Sequence, residues 1–219
     1  GFPNEVIPVG LHIIGRITAP IMFFFICEGF YYTKNLKKYI SRLFIFSFIS
    51  HFAYCFAFGI NYIPFGTGDI FNQTSIMWPL AWSVVGLYIV HGKNKLKEWQ
   101  KWVLVILLNI ITFPSDWSCI GLMIILDMYG NRGNLNNQMK GMFFWTFIYA
   151  LVSFLFVNKV YAIIQLFVIL VYPLLKLYNG QKGKIKSLKW FFYVYYPLHL
   201  VVIGILRLLM YGDILLLFN

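Results

Sequence analysis

A regular alternation of apolar runs and short basic clusters constrains this chain more than any other feature. Eight apolar runs stand out, at residues 9–32, 39–58, 75–90, 99–113, 117–129, 142–157, 160–178 and 190–211. A helix needs about 20 mostly apolar residues, rising ~1.5 Å each, to cross ~30 Å of hydrocarbon. Most of the runs approach that length. The two shortest, 99–113 and 117–129, read either as two crossings or as one re-entrant hairpin. Composition points the same way. Hydrophobic residues make up 60% and charged residues 11%, against about 45–50% and about 25% in soluble domains. A soluble fold of 219 residues could not hide that much apolar surface. The expectation is an all-α, polytopic transmembrane bundle of about eight helices, with residues 1–219 forming one integral membrane domain. The opening GFPNEVIPVG reads as a loop, and a further membrane helix is expected upstream of it.

The net charge of +11 raises the question of nucleic acid, but the basic residues are not gathered into a binding face. Lys34, Lys37, Lys38 and Arg42 flank the first connection, and Lys93, Lys95, Lys97 and Lys101 the third. Arg132 and Lys140 flank the fifth, and Lys176, Lys182, Lys184, Lys186 and Lys189 the seventh. Fifteen of the eighteen basic residues therefore fall on odd-numbered connections. Even connections carry Lys159 and the aspartates Asp69 and Asp116. Eight crossings place every odd connection on one side, and basic loops mark the cytoplasmic side. The reading is an integral protein of a bacterial cytoplasmic (inner) membrane, with basic loops inside and both ends of the chain outside. Its partner is the lipid bilayer, and nucleic acid is excluded.

Cys27, Cys55 and Cys119 lie inside apolar runs without metal-ligand spacing, so they read as buried thiols, with no metal site. Trp78, Trp82, Trp99, Trp102, Trp117, Trp145 and Trp190 lie mostly near helix ends, and nearly all read as an interfacial belt.

Ionisable groups at membrane depth are costly and are candidates for function. Arg16 lies two turns into the first run, with His12 one turn before it, and Glu28 lies toward the inner end. His51 falls in the outer half of the second run. Asp116 and Asp127 mark the outer and inner ends of the fifth. His199 lies mid-membrane in the last run, one turn after Tyr195 and two residues after Pro197. Structural alternatives exist for four of these: snorkelling for Arg16, solvated helix ends for Glu28 and Asp127, and a neutral interhelical bond for His51. The segment 59–74 is rich in Gly and Pro and reads as an external loop, either a lid or a plain connector.

The stretch IGRITAPIMFFFICEGFYYTKNLKKYISRLFIFSFIS resembles the TraX family. That family is named for the conjugation protein that acetylates the N-terminus of the F-type pilin subunit. The matching elements are Gly15-Arg16-Ile17 with Pro20, then Glu28-Gly29-Phe30, then Thr33 and Asn35 with Lys37, Lys38 and Tyr39. Asp116 stands where the family often has Asp-Tyr-Gly, here Asp116-Trp117-Ser118, and Tyr196-Pro197-Leu198-His199-Leu200 is a further match. The family's usual Ser-Glu appears as Ser50-His51.

The resemblance implies a membrane-embedded acetyltransferase with acetyl-CoA as cosubstrate and an amine or hydroxyl acceptor. Acyl transfer needs a general base and oxyanion donors. The expected catalytic residues are His199 or His51 as base, Arg16 to stabilise charge, and Glu28 to pair with a cation. Lys34, Asn35 and Lys37 are expected at the cytoplasmic mouth, where coenzyme phosphates would enter. Tyr195 and Asp116 are expected to contact substrate. The alternatives are a non-catalytic subunit of a conjugation or secretion machine, or a small solute transporter. Against the transporter stands the lack of an internal repeat.

Overall fold

Each of the eight apolar runs becomes helix in the computed structural model, which describes residues 6–63, 72–156, 159–181 and 188–211. The helices are α1 (Val6–Tyr32), α2 (Leu36–Phe58), α3 (Met77–His91), α4 (Glu98–Thr112), α5 (Ser118–Gly130) and α6 (Leu135–Phe156). They continue with α7 (Lys159–Leu166), a 3-10 turn (Phe167–Leu170), α8 (Val171–Lys176) and α9 (Leu188–Tyr211). Of α1, side chains are described from Arg16 onward. The α7–α8 stretch is one sequence run with a tightened middle. Pro173 has no N–H to give the carbonyl of Ile169, and Val171 N–H bonds back to Ile169 and Val168 instead.

Helix starts follow ordinary capping chemistry. Asn35 Oδ1 accepts the Lys38 N–H at 2.9 Å at the head of α2. Gln100 Oε1 accepts the Lys97 N–H at 2.9 Å at the head of α4, where Glu98 also favours the positive helix end. Pro79 lies in the first turn of α3, where a missing N–H costs nothing.

Three described helices are long and apolar enough to span a membrane, at Leu36–Phe58, Leu135–Leu155 and Trp190–Met210. Their outward faces are apolar. Ile45, Phe48, Ile49 and Phe52 are exposed on α2, and Phe144, Phe147, Leu151 and Leu155 on α6. Leu198, Val202, Leu206 and Leu209 do the same on α9. The spacing of three and four residues makes each set a continuous stripe. Apolar stripes of this extent are lipid-facing surfaces. The protein is a helical membrane protein.

Packing divides the chain into two units, Gly1–Tyr32 with Met123–Gln181, and Thr33–Leu122 with Lys182–Asn219. In the first, α1 packs on α7, the 3-10 turn and α8, while α6 pairs with α7. The later part of α5 runs alongside α1. Cys27 Sγ–H donates to the Ile125 carbonyl at 3.4 Å, and the Phe30 and Tyr129 rings meet edge to face at 5.1 Å.

In the second unit α2 packs on both α9 and α3. Its pairing with α9 is parallel. Gly204 approaches the Phe56 ring and Gly59 the Arg207 guanidinium, so the facing residues differ by 148 in both pairs (204 − 56 and 207 − 59). Gly59 ends α2 at φ 67°, where glycine is unstrained, and Arg207 brings positive charge to the negative end of that helix. Its pairing with α3 is antiparallel, with Phe44 against Trp82 at 4.9 Å and His51 beside Thr74. Eight alternating crossings require these two helices to be parallel, and so do six with α4 and α5 as one re-entrant hairpin.

The tryptophans correct the expectation of a belt. Trp99 and Trp102 are exposed near the start of α4, as a belt demands. Trp78 and Trp82 instead pack on Phe44, with Trp78 Nε1–H donating to the Ile111 carbonyl at 3.1 Å. Trp117 is only 2% exposed. The Trp78 N–H finds a carbonyl partner, and both Trp78 and Trp82 gain ring packing on Phe44.

Candidate functional site

The most elaborate polar cluster lies in the second unit, where the end of the α2–α3 connection meets the α4–α5 turn. The two segments form a parallel bridge at Thr74 and Ser115. Gln73 N–H donates to the Pro114 carbonyl at 2.7 Å, and Asp116 N–H to the Thr74 carbonyl at 2.9 Å. Gln73, Thr74, Ser75, Thr112, Ser115 and Ser118 are all buried. The α4–α5 turn thus reaches the level of the α2–α3 connection.

The backbone here is strained. Among the described residues, the non-glycine positions with positive φ are Asn72 (55°), Trp117 (65°) and Ser118 (47°). All three belong to the two bridged segments. Left-handed backbone costs a non-glycine residue about 1–2 kcal/mol, and Asn tolerates it better than Trp or Ser. Glycine is the residue for which this φ is free. Ser118 recovers part of the cost by donating Oγ–H to the Phe113 carbonyl at 2.9 Å. Ser118→Gly is therefore expected to stay within ~1 kcal/mol of the parent in thermal unfolding, the lost hydrogen bond offsetting the relieved strain. Ser118→Val, branched at Cβ, should lose ~2 kcal/mol or more.

His51 joins α2 to this cluster. Its Nε2 lies 2.9 Å from the Tyr62 carbonyl, and its Nδ1 lies 3.1 Å from Thr74 Oγ1. A carbonyl only accepts, so Nε2 carries the hydrogen. In the neutral ring Nδ1 is then the basic nitrogen and takes the Thr74 hydroxyl proton. Cys55 Sγ lies 3.9 and 3.8 Å from the two ring nitrogens, a near-equal spacing that puts it over the ring face rather than on a lone pair.

α9 supplies the other side. Tyr196 packs with Ala53, Tyr54, Ala57 and Leu200, and its phenol lies beside Ser75, Ile76 and Asp116. Ser75 Oγ is buried and makes no hydrogen bond of good geometry. His199 meets Tyr196 edge to face at 5.1 Å and stacks on Tyr195 at 5.4 Å. Its Nδ1 is 3.2 Å from the Tyr195 carbonyl, so Nδ1–H donates and Nε2 is the basic nitrogen. The offset of 148 that relates α2 to α9 also separates residues 51 and 199, so the two histidines lie at one level on packed helices. An apolar groove of about 390 Å³ between these helices is lined in part by Phe52, Tyr62 and Pro197.

The structure thus gathers His51, Asp116, Tyr195 and His199 within one unit. Lys34 and Lys37 are exposed at the start of α2, and Asn35 there spends its side-chain oxygen on capping. The other candidates belong to the first unit. Arg16 is half-buried on α1, and His12 lies outside the described side chains, as does the middle of the 59–74 loop.

Glu28 is 7% exposed and has found its cation. Arg132, in the α5–α6 connection, grips it with two bonds, Nε to Oε1 at 2.7 Å and Nη2 to Oε2 at 3.0 Å. Tyr178 donates its hydroxyl to Oε2 at 3.0 Å. The guanidinium carbon lies 3.4 Å from the centre of the Tyr31 ring, a stacked cation–π contact. The hydrogen bond to Glu28 holds the Arg132 pKa above its ordinary value. Burial, then the bond to Glu28, pushes the Tyr178 phenol up, so it keeps its donor proton well into alkaline conditions. A cavity of about 240 Å³ opens beside this clasp, lined in part by Gln138 and Lys176. Nearby, Asn131 Nδ2–H donates to Asp127 Oδ1 at 2.8 Å, and the carboxylate lies over Gly141, where any side chain would collide with it.

Neither Arg132 nor Thr74 was legible as a site residue. Arg132 reads as a loop charge and Thr74 as part of a polar connector. The one available signal was a buried acid lacking a partner on its own helix.

The family model described as TraX protein matches residues 4–207. A protein of Dichelobacter nodosus described as "Probable fimbrial assembly protein FimC, serogroup H1" is 26% identical over 206 residues, covering 88% of this chain and 81% of that protein. No solved structure matches the chain. The extent of the family match, nearly end to end, agrees with the Arg16, Glu28 and His199 elements that first pointed to it: this chain belongs to the TraX family.

Proposed function

We propose that the protein is a membrane-embedded acyltransferase that moves an acetyl group from acetyl-CoA to an amine or hydroxyl of an envelope component, with a pilin N-terminus the leading acceptor. The observation that carries the reading is the placement of His199 and His51 at one level of the packed helices α9 and α2, each with a defined basic nitrogen, His199 beside Tyr196 and His51 beside Thr74. A hydroxyl or ammonium acceptor needs a base close to neutral pKa, and histidine serves that role. His199 Nε2 takes the acceptor proton, and Tyr195 and Asp116 contact the acceptor. Glu28 keeps its cation, Arg132. Lys34 and Lys37, on a basic connection, meet the coenzyme phosphates, with Asn35 shaping the turn between them. The basic connections face the cytoplasm, where acetyl-CoA is made, and the membrane is the inner one.

The description of the Dichelobacter relative as a fimbrial assembly protein supports a pilus-related acceptor, and equally a non-catalytic assembly subunit. Mass spectrometry of membrane proteins and glycans from cells with and without the gene separates the two. The enzyme predicts an acetyl mass lost from a specific component. A subunit predicts altered pilus assembly with all acetyl masses retained.

A further inference from the structure

We propose that Thr74 is a nucleophile that carries the acyl group as an ester between donor and acceptor. The proposal rests on the acyltransferase reading and adds a covalent step to it. A hydroxyl becomes a nucleophile when a base lies within hydrogen-bond reach and a third group orients that base. Thr74 Oγ1 lies 3.1 Å from His51 Nδ1, and the Tyr62 carbonyl, 2.9 Å from Nε2, fixes the ring so that Nδ1 is the lone-pair nitrogen. The bonding hydrogen is the threonine's own, as abstraction requires.

Two further features fit a reaction better than a plain connector. The segments that hold Thr74 contain every positive-φ non-glycine position among the described residues, Asn72, Trp117 and Ser118. Backbone strain of this kind persists where surrounding structure enforces it, and it concentrates at functional sites. Thr74 is also 9% exposed, so an ester formed there is shielded from hydrolysis. The Ser75 hydroxyl, next in the chain, is buried without a hydrogen bond of good geometry and is the donor available for the oxyanion.

In the first step Thr74 Oγ attacks the thioester carbonyl carbon, its proton passes to His51 Nδ1, the C–O bond forms and the C–S bond breaks, releasing the coenzyme thiolate. In the second step the acceptor amine or hydroxyl attacks the ester carbonyl and gives its proton to His199 Nε2. The bond to Thr74 Oγ breaks, and that oxygen recovers its proton from His51. The proton left on His199 passes to the thiolate through solvent. A long, thin pantetheine arm suits delivery of the acyl group to a buried hydroxyl.

The test is peptide mass spectrometry of the purified full chain in detergent after exposure to acetyl-CoA and, separately, to 4-nitrophenyl acetate. The expected result is an acetyl group on Thr74 in both arms, retained at position 74 in Thr74→Ser, absent in Thr74→Val, and formed about a hundredfold more slowly in His51→Ala. Site mapping in the unaltered protein decides the matter even where a variant fails to fold. An unmodified Thr74, or labelling at an unchanged rate in His51→Ala, overturns the proposal. Gene-dependent envelope acetylation that survives Thr74→Val overturns the covalent step while leaving the acyltransferase reading intact. Loss of that acetylation with Thr74 acetylated only in unaltered protein and Thr74→Ser supports both.

Discussion

Arg132→Ala is expected to destabilise the protein by about 3–5 kcal/mol, because it strands a buried carboxylate without its cation. Glu28 is 7% exposed and takes both of its charged bonds from Arg132, at 2.7 and 3.0 Å. The Tyr178 hydroxyl at 3.0 Å remains, but one neutral donor cannot replace a guanidinium. Glu28→Gln should cost less. The Arg132 side chain is 23% exposed and can turn toward solvent, whereas the Glu28 side chain, at 9%, cannot. The double variant should fall well short of the sum of the two, since the second change removes what the first left unpaired. Thermal unfolding in one detergent, followed by tryptophan fluorescence, measures all four proteins. Losses below about 1 kcal/mol in both single variants would show the pair to be a surface contact of little weight.

His199→Ala is expected to lower acyl transfer by about 10²–10⁴-fold, the range typical of general acid–base groups. The residue is half-buried, and its described polar contact is to a carbonyl of its own helix, so stability should change little. Free coenzyme released by the protein in proteoliposomes, in the presence of acceptor-containing membrane extract, gives the rate. Full activity in a folded His199→Ala protein would move the acceptor's base elsewhere.

The architecture was legible because lipid imposes a simple rule. Apolar length sufficed to mark all eight segments as helix, including the short α4 and α5. The boundaries shifted where polar groups set them. Asn35 starts α2 earlier than the apolar run does, and Pro173 breaks the seventh run into α7, a 3-10 turn and α8. The site was legible only in part, since charge and histidine at membrane depth stand out by their cost. What they bond to does not. Arg132 is 104 positions from Glu28 and looks like any loop cation. Thr74 gains meaning only once His51 is folded against it. Trp117 reads as interfacial by position, yet it is buried in a turn with positive φ.

The central claim is that this TraX-family protein performs acyl transfer with its own histidine. The most direct measurement is mass spectrometry of the cell envelope from a strain lacking the gene, carrying either the unaltered gene or His199→Ala at matched membrane levels. Acetylation of one component that is lost with the gene, regained with the unaltered protein and not regained with His199→Ala is the predicted result. An identical set of acetylated components in all three strains would contradict the account.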